Sequence, residues 1–179
     1  MKIKSLKDLR SKLEKAITDS LEKEVYEMVI TTERSHTDTD VYAKYKPKVY
    51  VRRLDEGGLR DIRNMVYDKS KTKNGILEVE NITKYNIDKP GEDIEDYLDY
   101  DLEEDDGNDS GFSLTALIEY GVEKLYPGTE ECLRKQGKKI PPYGLPRPFI
   151  SNTKKEIKEG NKFPKALKKG LKRNGIDID

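Results

Sequence analysis

His36 is the only histidine of the chain and Cys132 its only cysteine. Ser-His-Asp or Cys-His catalysis would have to run through His36, since an imidazole is what takes the proton from the attacking hydroxyl or thiol. Its surroundings, Ser35-His36-Thr37-Asp38, read as a polar loop with no nucleophile elbow. One imidazole and one thiol cannot make a structural zinc site, which takes four ligands. Gly57-Gly58-Leu59 lacks the Lys-Ser/Thr of a phosphate-binding loop and does not join an apolar strand to a helix, so it is turn chemistry. Asp105-Asp106-Gly107-Asn108-Asp109-Ser110-Gly111 offers oxygens to a hard cation but lacks the closing Glu of a calcium loop, and a solvated acidic loop is the better account. The residues point away from an enzyme and away from any cofactor or bound metal.

Charge is plentiful but sorted. Thirty-five Lys and Arg balance 35 Asp and Glu, and charged residues make up 39% of the chain against 34% hydrophobic. Mean hydropathy is −0.91. A chain this polar buries a thin core when alone, so part of it is expected to be disordered and part of its burial to come from neighbouring subunits. From Glu92 to Asp109 there is no Lys or Arg among eleven acidic residues, whereas Lys154 to Arg173 is strongly basic. Asp105 and Asp106 on one copy and Lys168 and Lys169 on another are therefore candidate electrostatic contacts. The lone cysteine fits a reducing cytoplasm. The start, Met1-Lys2-Ile3-Lys4-Ser5-Leu6, lacks the apolar core of a signal peptide, and no run of about 18 apolar residues suggests a membrane span.

These side chains need elements to hold them. Leu6, Leu9, Leu13, Ile17, Leu21, Val25 and Met28 advance by threes and fours, which predicts one face of a long helix ending near Thr31-Thr32. Ser5 with Asp8 approximates its capping box. Tyr50 to Arg53 reads as a short extended piece, and Arg60 to Asn64 as an irregular loop. Met65 to Asp68 and Gly75 to Ile82 predict an antiparallel pair joined by a turn ending in Asn74-Gly75, with Leu77, Val79 and Asn81 on one face. Periodicity vanishes from Lys84 to Gly111, which predicts a mobile excursion. Ser113 caps a helix through Leu114, Leu117 and Ile118 that Gly121 stops. A second, proline-marked excursion runs to Pro146, and Pro148 falls in the first turn of the next helix. Pro164 starts a basic helix ended by Asn174-Gly175, and Ile176-Asp177-Ile178 suggests a final strand.

The order Val49-Tyr50-Val51-Arg52-Arg53 with Gly58-Leu59, then Val79-Glu80-Asn81, Glu119-Tyr120-Gly121 and Arg147-Pro148-Phe149 resembles a family of small virion proteins of tailed bacteriophages. Its members are called minor tail component, tail-completion or neck proteins and sit where head meets tail. The likeness runs from the N-terminal helix to about Asp179. The stretch from Lys84 to Asp109 and the proline-rich loop before Arg147 depart from the family's shorter pattern.

The resemblance implies a structural protein in a homo-oligomeric ring around the DNA passage. Its neighbours would be other neck and tail proteins, and it would be assembled in the host cytoplasm with no membrane partner. Tyr120, Gly121, Arg147, Pro148 and Phe149 become candidate assembly contacts, because a guanidinium beside a rigid apolar pair suits the centre of an interface. The competing reading of Phe149 is a core residue. The fold expected is α+β, a single domain over 1–179. It has a long N-terminal helix and shorter helices packed on a small antiparallel sheet, with long loops. An acidic insertion covers about 84–111 and a basic helix about 164–174. The rival function is a basic-tailed nucleic-acid-binding or assembly accessory protein, carried by the lysines of 154–173.

Overall fold

The computed structural model describes residues 5–44, 46, 52–84, 113–125, 127–140 and 144–178. Ser5 caps the first helix as its sequence predicts, its hydroxyl accepting the Asp8 N–H at 3.1 Å. Then come α1 (Leu6–Ser20), a π-helical turn (Leu21–Val25), α2 (Tyr26–His36) and a second π-helical turn (Thr37–Tyr42). Backbone angles at every junction remain right-handed helical, so the four segments form one rod, about 55 Å long at 1.5 Å per residue.

The helix therefore runs on past Thr31-Thr32, and His36 lies within it, not in a loop. The reason is local. Thr32 donates its hydroxyl to the Met28 carbonyl at 2.8 Å, Thr37 to Glu33 and Thr39 to Ser35 at 3.0 Å each. Polar side chains that would otherwise compete with the helix are spent on its own carbonyls. Ser20, bonded in the same way to Ala16, immediately precedes the first π turn, and Thr37 opens the second.

The rest of the chain packs along this rod. A 3₁₀ turn (Ile62–Asn64) leads into β1 (Met65–Tyr67), followed by α3 (Lys69–Thr72) and β2 (Val79–Asn81). The strands are antiparallel as expected, with Met65 opposite Asn81 and Tyr67 opposite Val79. Where a plain turn was expected, α3 precedes Asn74-Gly75, and Gly75 takes the positive φ of 79°. Tyr26 holds this hairpin on the rod, donating its hydroxyl to the Met65 carbonyl at 2.5 Å with its ring 4.8 Å from that of Tyr67. The architecture is α+β.

Five helices follow among the described residues: α4 (Leu114–Tyr120), α5 (Val122–Leu125), α6 (Thr129–Lys135), α7 (Phe149–Glu159) and α8 (Lys162–Arg173). The proline-marked excursion thus contains α5 and α6, with Leu133 buried. Residues 176–178 form no strand; the Ile176 N–H turns back to the Leu171 carbonyl at 3.0 Å and finishes α8. Residues 50 and 51 of the expected extended piece and the whole acidic block, Asp105 and Asp106 included, lie outside the described residues. Among the described residues no helix is long and apolar enough to cross a membrane.

Helix α8 lies antiparallel to the rod. Lys162 meets Thr32 Oγ1 at 3.3 Å, while Arg173 meets Glu24 Oε1 at 2.5 Å and the Asp19 carbonyl at 3.3 Å. Gly170 makes the close approach possible, since a Cβ there would lie 2.5 Å from Ser20 Cβ. Cover ends at that point. Ala16, Ser20, Leu21 and Val25 are buried, but Leu6, Leu9 and Leu13 are 85%, 43% and 40% exposed. The predicted apolar face is one strip, and only its later part is packed. A buried apolar cluster lies elsewhere, where Val41 at the end of the rod, Leu59, Ile118 and Phe149 come together with Tyr42, Leu114 and Ile150 against them.

Candidate assembly surface

The motif Glu119-Tyr120-Gly121 and the motif Arg147-Pro148-Phe149 meet in one joint. Helix α7 begins after Pro148, whose side chain makes no capping hydrogen bond. Its first N–H groups need an acceptor from elsewhere. Glu119, buried on α4, supplies it: Oε2 accepts the Ile150 N–H at 2.8 Å and Oε1 accepts the Ser151 N–H at 3.0 Å and the Ser151 hydroxyl at 2.5 Å. A carboxylate at a helix N-terminus also complements its dipole. The Arg147 N–H donates to the Ile118 carbonyl at 2.8 Å, fastening the entering strand to α4. Gly121 has φ 75°, and a Cβ on it would lie 2.8 Å from Pro146 N and Cδ, so the turn and the contact both require glycine.

Within the chain the geometry agrees with the competing reading of Phe149. Phe149 is 0% exposed and Arg147 8%, both enclosed by their own chain. Phe149 is a core side chain in the cluster with Val41, Leu59 and Ile118. What the joint offers to a partner is Pro148 and Tyr120, the latter 46% exposed with Lys124 Nζ 4.3 Å above its ring. Lys168 and Lys169 are exposed on α8, and Lys169 also acts on the Glu24 carboxylate.

A second buried centre joins the hairpin to the rod. Asn81 Nδ2 donates to Glu33 Oε1 and to the Leu59 carbonyl, both at 2.8 Å, and its Oδ1 accepts from Thr83 Oγ1 at 2.6 Å. Thr115 closes the arrangement with its hydroxyl 2.9 Å from the Asn81 carbonyl. Burial pushes the Glu33 carboxyl above its usual range, with the Asn81 hydrogen bond opposing. Gly58 lies so close to Leu54 that a Cβ would sit 2.5 Å from its carbonyl oxygen.

His36 holds a third. Its Nδ1 lies 2.8 Å from Asp40 Oδ2 and its Nε2 2.7 Å from Glu156 Oε2, so the ring straps the rod to α7. A doubly protonated ring donates to both carboxylates, a neutral one to a single partner. Asn152 adds a hydrogen bond to Asp40 at 2.9 Å, and Lys162 pairs with Glu156. Burial works to raise the Asp40 carboxyl, but the bonds from Asn152 and His36 leave it below its usual range. Glu156 is lowered chiefly by Lys162. These residues border a shallow depression of about 250 Å³ that also touches Lys155, Glu159 and Gly160. Among the described residues no group of three His, Cys, Asp or Glu side chains is placed to hold a metal ion.

Neither Glu119 nor the Asn81 centre was anticipated as a working group. A signal for Glu119 existed: a helix opening Pro-Phe-Ile-Ser has no capping side chain of its own. Nothing in the sequence signalled that Glu33 would be buried.

Comparison with known proteins covers nearly the whole sequence. The family model YomN matches residues 5–173. The SPbeta prophage-derived uncharacterized protein YomN of Bacillus subtilis (strain 168) is 28% identical over 179 residues, covering 98% of this chain and 99% of that protein. No solved structure matches.

Proposed function

The chain belongs to the YomN family and is of phage descent, and we propose from that premise that it is a structural virion protein forming a ring at the head–tail junction. In this reading it completes the neck or tail top around the DNA passage, contacts other copies of itself and the neighbouring neck and tail proteins, and catalyses nothing. It is assembled in the host cytoplasm and ends in the particle. The supporting observation is the joint. Glu119, Gly121, Arg147 and Phe149, which belong to two of the motifs that carry the likeness to tail-completion proteins, lock into one another through the hydrogen bonds and packing around α7. A rigid joint beneath exposed apolar surface suits a building block.

The test is deletion of the gene in the phage that carries it. Filled heads and finished tails accumulating unjoined, restored by the gene in trans, are the expected result. Normal particles from the deletion would overturn the reading.

One observation favours the second reading, an accessory protein that binds nucleic acid. Lys154, Lys155 and Lys158 on α7 and Lys165, Lys168 and Lys172 on α8 are exposed, and among the described residues none forms an ion pair. Retention of the purified chain on duplex DNA that weakens steeply between 50 and 200 mM salt, a range over which phosphate contacts are lost, would favour it.

A further inference from the structure

We infer that neighbouring copies join head to tail, the leucine strip of α1 on one copy lying across the outer face of the β1–β2 hairpin on the next. The inference rests on the ring reading above and names the surface that would make it.

Among the described residues the chain carries two exposed apolar faces of complementary kind. Leu6, Leu9 and Leu13 follow the three-and-four spacing of a helix-packing seam, and their strip continues directly into Ala16 and Ser20, which α8 covers. The seam is built for a partner along its whole length, and its first two turns lack one among the described residues. On the hairpin, Met65 and Asn81 point inward and are buried, so the alternating face turns Val66, Glu80 and Ile82 outward. Val66 is 37% and Ile82 47% exposed, and Ile62, in the turn entering β1, is 50% exposed. A two-stranded sheet with an uncovered apolar side is marginal unless something packs on it, and a helix strip is the usual cover.

Charge favours strip on sheet over strip on strip. Lys7, Arg10, Lys12 and Lys15 outnumber Asp8 and Glu14 around the leucines, so the strip keeps a net positive charge even with Arg10 paired to Glu14 and Lys12 to Asp8. The hairpin face presents Glu80 among its apolar residues. Two strips laid together would crowd their cations, whereas a strip on the hairpin sets them beside an anion. Because the two faces differ, the contact is heterologous: every copy offers one and accepts one, the kind of contact from which rings are built when the repeated rotation closes.

Full-length protein would be examined by mass photometry and sedimentation, with circular dichroism as the check on folding. Leu9→Asp and Ile82→Asp should each weaken self-association at least about thirtyfold, the equivalent of losing one strong interface residue. Mixed one to one, they should form dimers and go no further, since only one good pair of faces remains between them. Leu9→Ser serves the same end should the aspartate disturb the helix. Wild-type protein that stays monomeric, either variant assembling like the wild type, or a mixture that stays monomeric would overturn the inference. A Leu9→Asp effect with none from Ile82→Asp would mean strip-on-strip dimers and overturn it too. Assembly through these faces by a protein absent from particles would sink the junction reading and leave this contact standing. Particles that incorporate both variants normally would do the reverse.

Discussion

Phe149 and Leu9 are both large apolar side chains in the opening turns of a helix, yet one is 0% exposed and the other 43%. The difference lies in how each helix begins. The N-terminus of α7 borrows its acceptors from Glu119 on another helix and is reached through an Arg147 N–H bonded to Ile118. To satisfy those groups, α7 must start inside the molecule, and its first side chain goes to the core. By contrast, α1 is capped by Ser5, its own neighbour in sequence. It needs nothing from the rest of the fold and can stand clear of it. In this pair the helix end that is capped from outside is drawn inward, while the self-capped end stands free.

The largest test of this contrast is Phe149→Ala. It should cost about 3–5 kcal/mol in urea unfolding, as for a large aromatic removed from a packed core; a loss under 1 kcal/mol would place Phe149 at a surface after all. Along the rod the contrast sharpens to two leucines of one strip. Leu21→Ala should cost about 2–5 kcal/mol, and Leu13→Ala about 0.5 kcal/mol in the monomer. Equal losses would mean that α1 is covered throughout.

Capping gives a finer comparison. Glu119→Gln puts an amide donor opposite a helix N–H and should cost about 1–3 kcal/mol. Ser5→Ala should cost less, about 0.5–1 kcal/mol at an exposed end. Differential unfolding of the two variants under one set of conditions reads the difference directly.

The smallest effect expected is with pH. Asp40 and Glu156 are held below the usual carboxylate range, so their contribution is present above that range and is lost as pH falls through their folded values. Glu33 acts oppositely. Burial raises it, so its contribution is present at low pH and is lost as pH rises through its raised value. Melting temperature should fall between pH 5 and pH 3, less steeply in Asp40→Asn. Glu33→Gln should widen the gap between neutral and acid stability, because it removes the term that declines toward neutrality. Superimposable profiles for all three proteins would mean that the His36 strap and the Glu33 centre contribute no titrating stability.

What was legible in the sequence was mostly what neighbours decide. The Ser5 and Ser113 caps, the glycine stop at Gly121, the end of α8 at Asn174-Gly175 and the pairing of β1 with β2 all rest on contacts within a few residues or one turn. Where tertiary context decides, the reading slipped. Thr31-Thr32 looks like a helix end by propensity, but hydroxyl bonds to the preceding turn carry the helix through. Ile176 to Ile178 has strand composition, and the turn that finishes α8 holds Ile176 instead. The partner in the Arg-Pro-Phe corner is the molecule's own α4, and periodicity alone does not say who covers an apolar face. Glu119 was identified with its motif, but its work as a remote cap depends on a helix start some thirty residues downstream.

Gly121 against Pro146, and Lys84 bridged to Ser113, have a consequence for how such a chain can change length. At each place the two ends of the intervening chain are held together; the Leu114 N–H even bonds the Thr83 carbonyl at 3.1 Å. The number of residues between each pair of ends does not enter the geometry of the contact that joins them. Doubling that number costs only about 0.6 kcal/mol in closure entropy. Members of one family can therefore carry long or short versions on an unchanged frame. The same two clasps mark where a peptide tag or a whole reporter domain can be spliced in without disturbing α4 or α7.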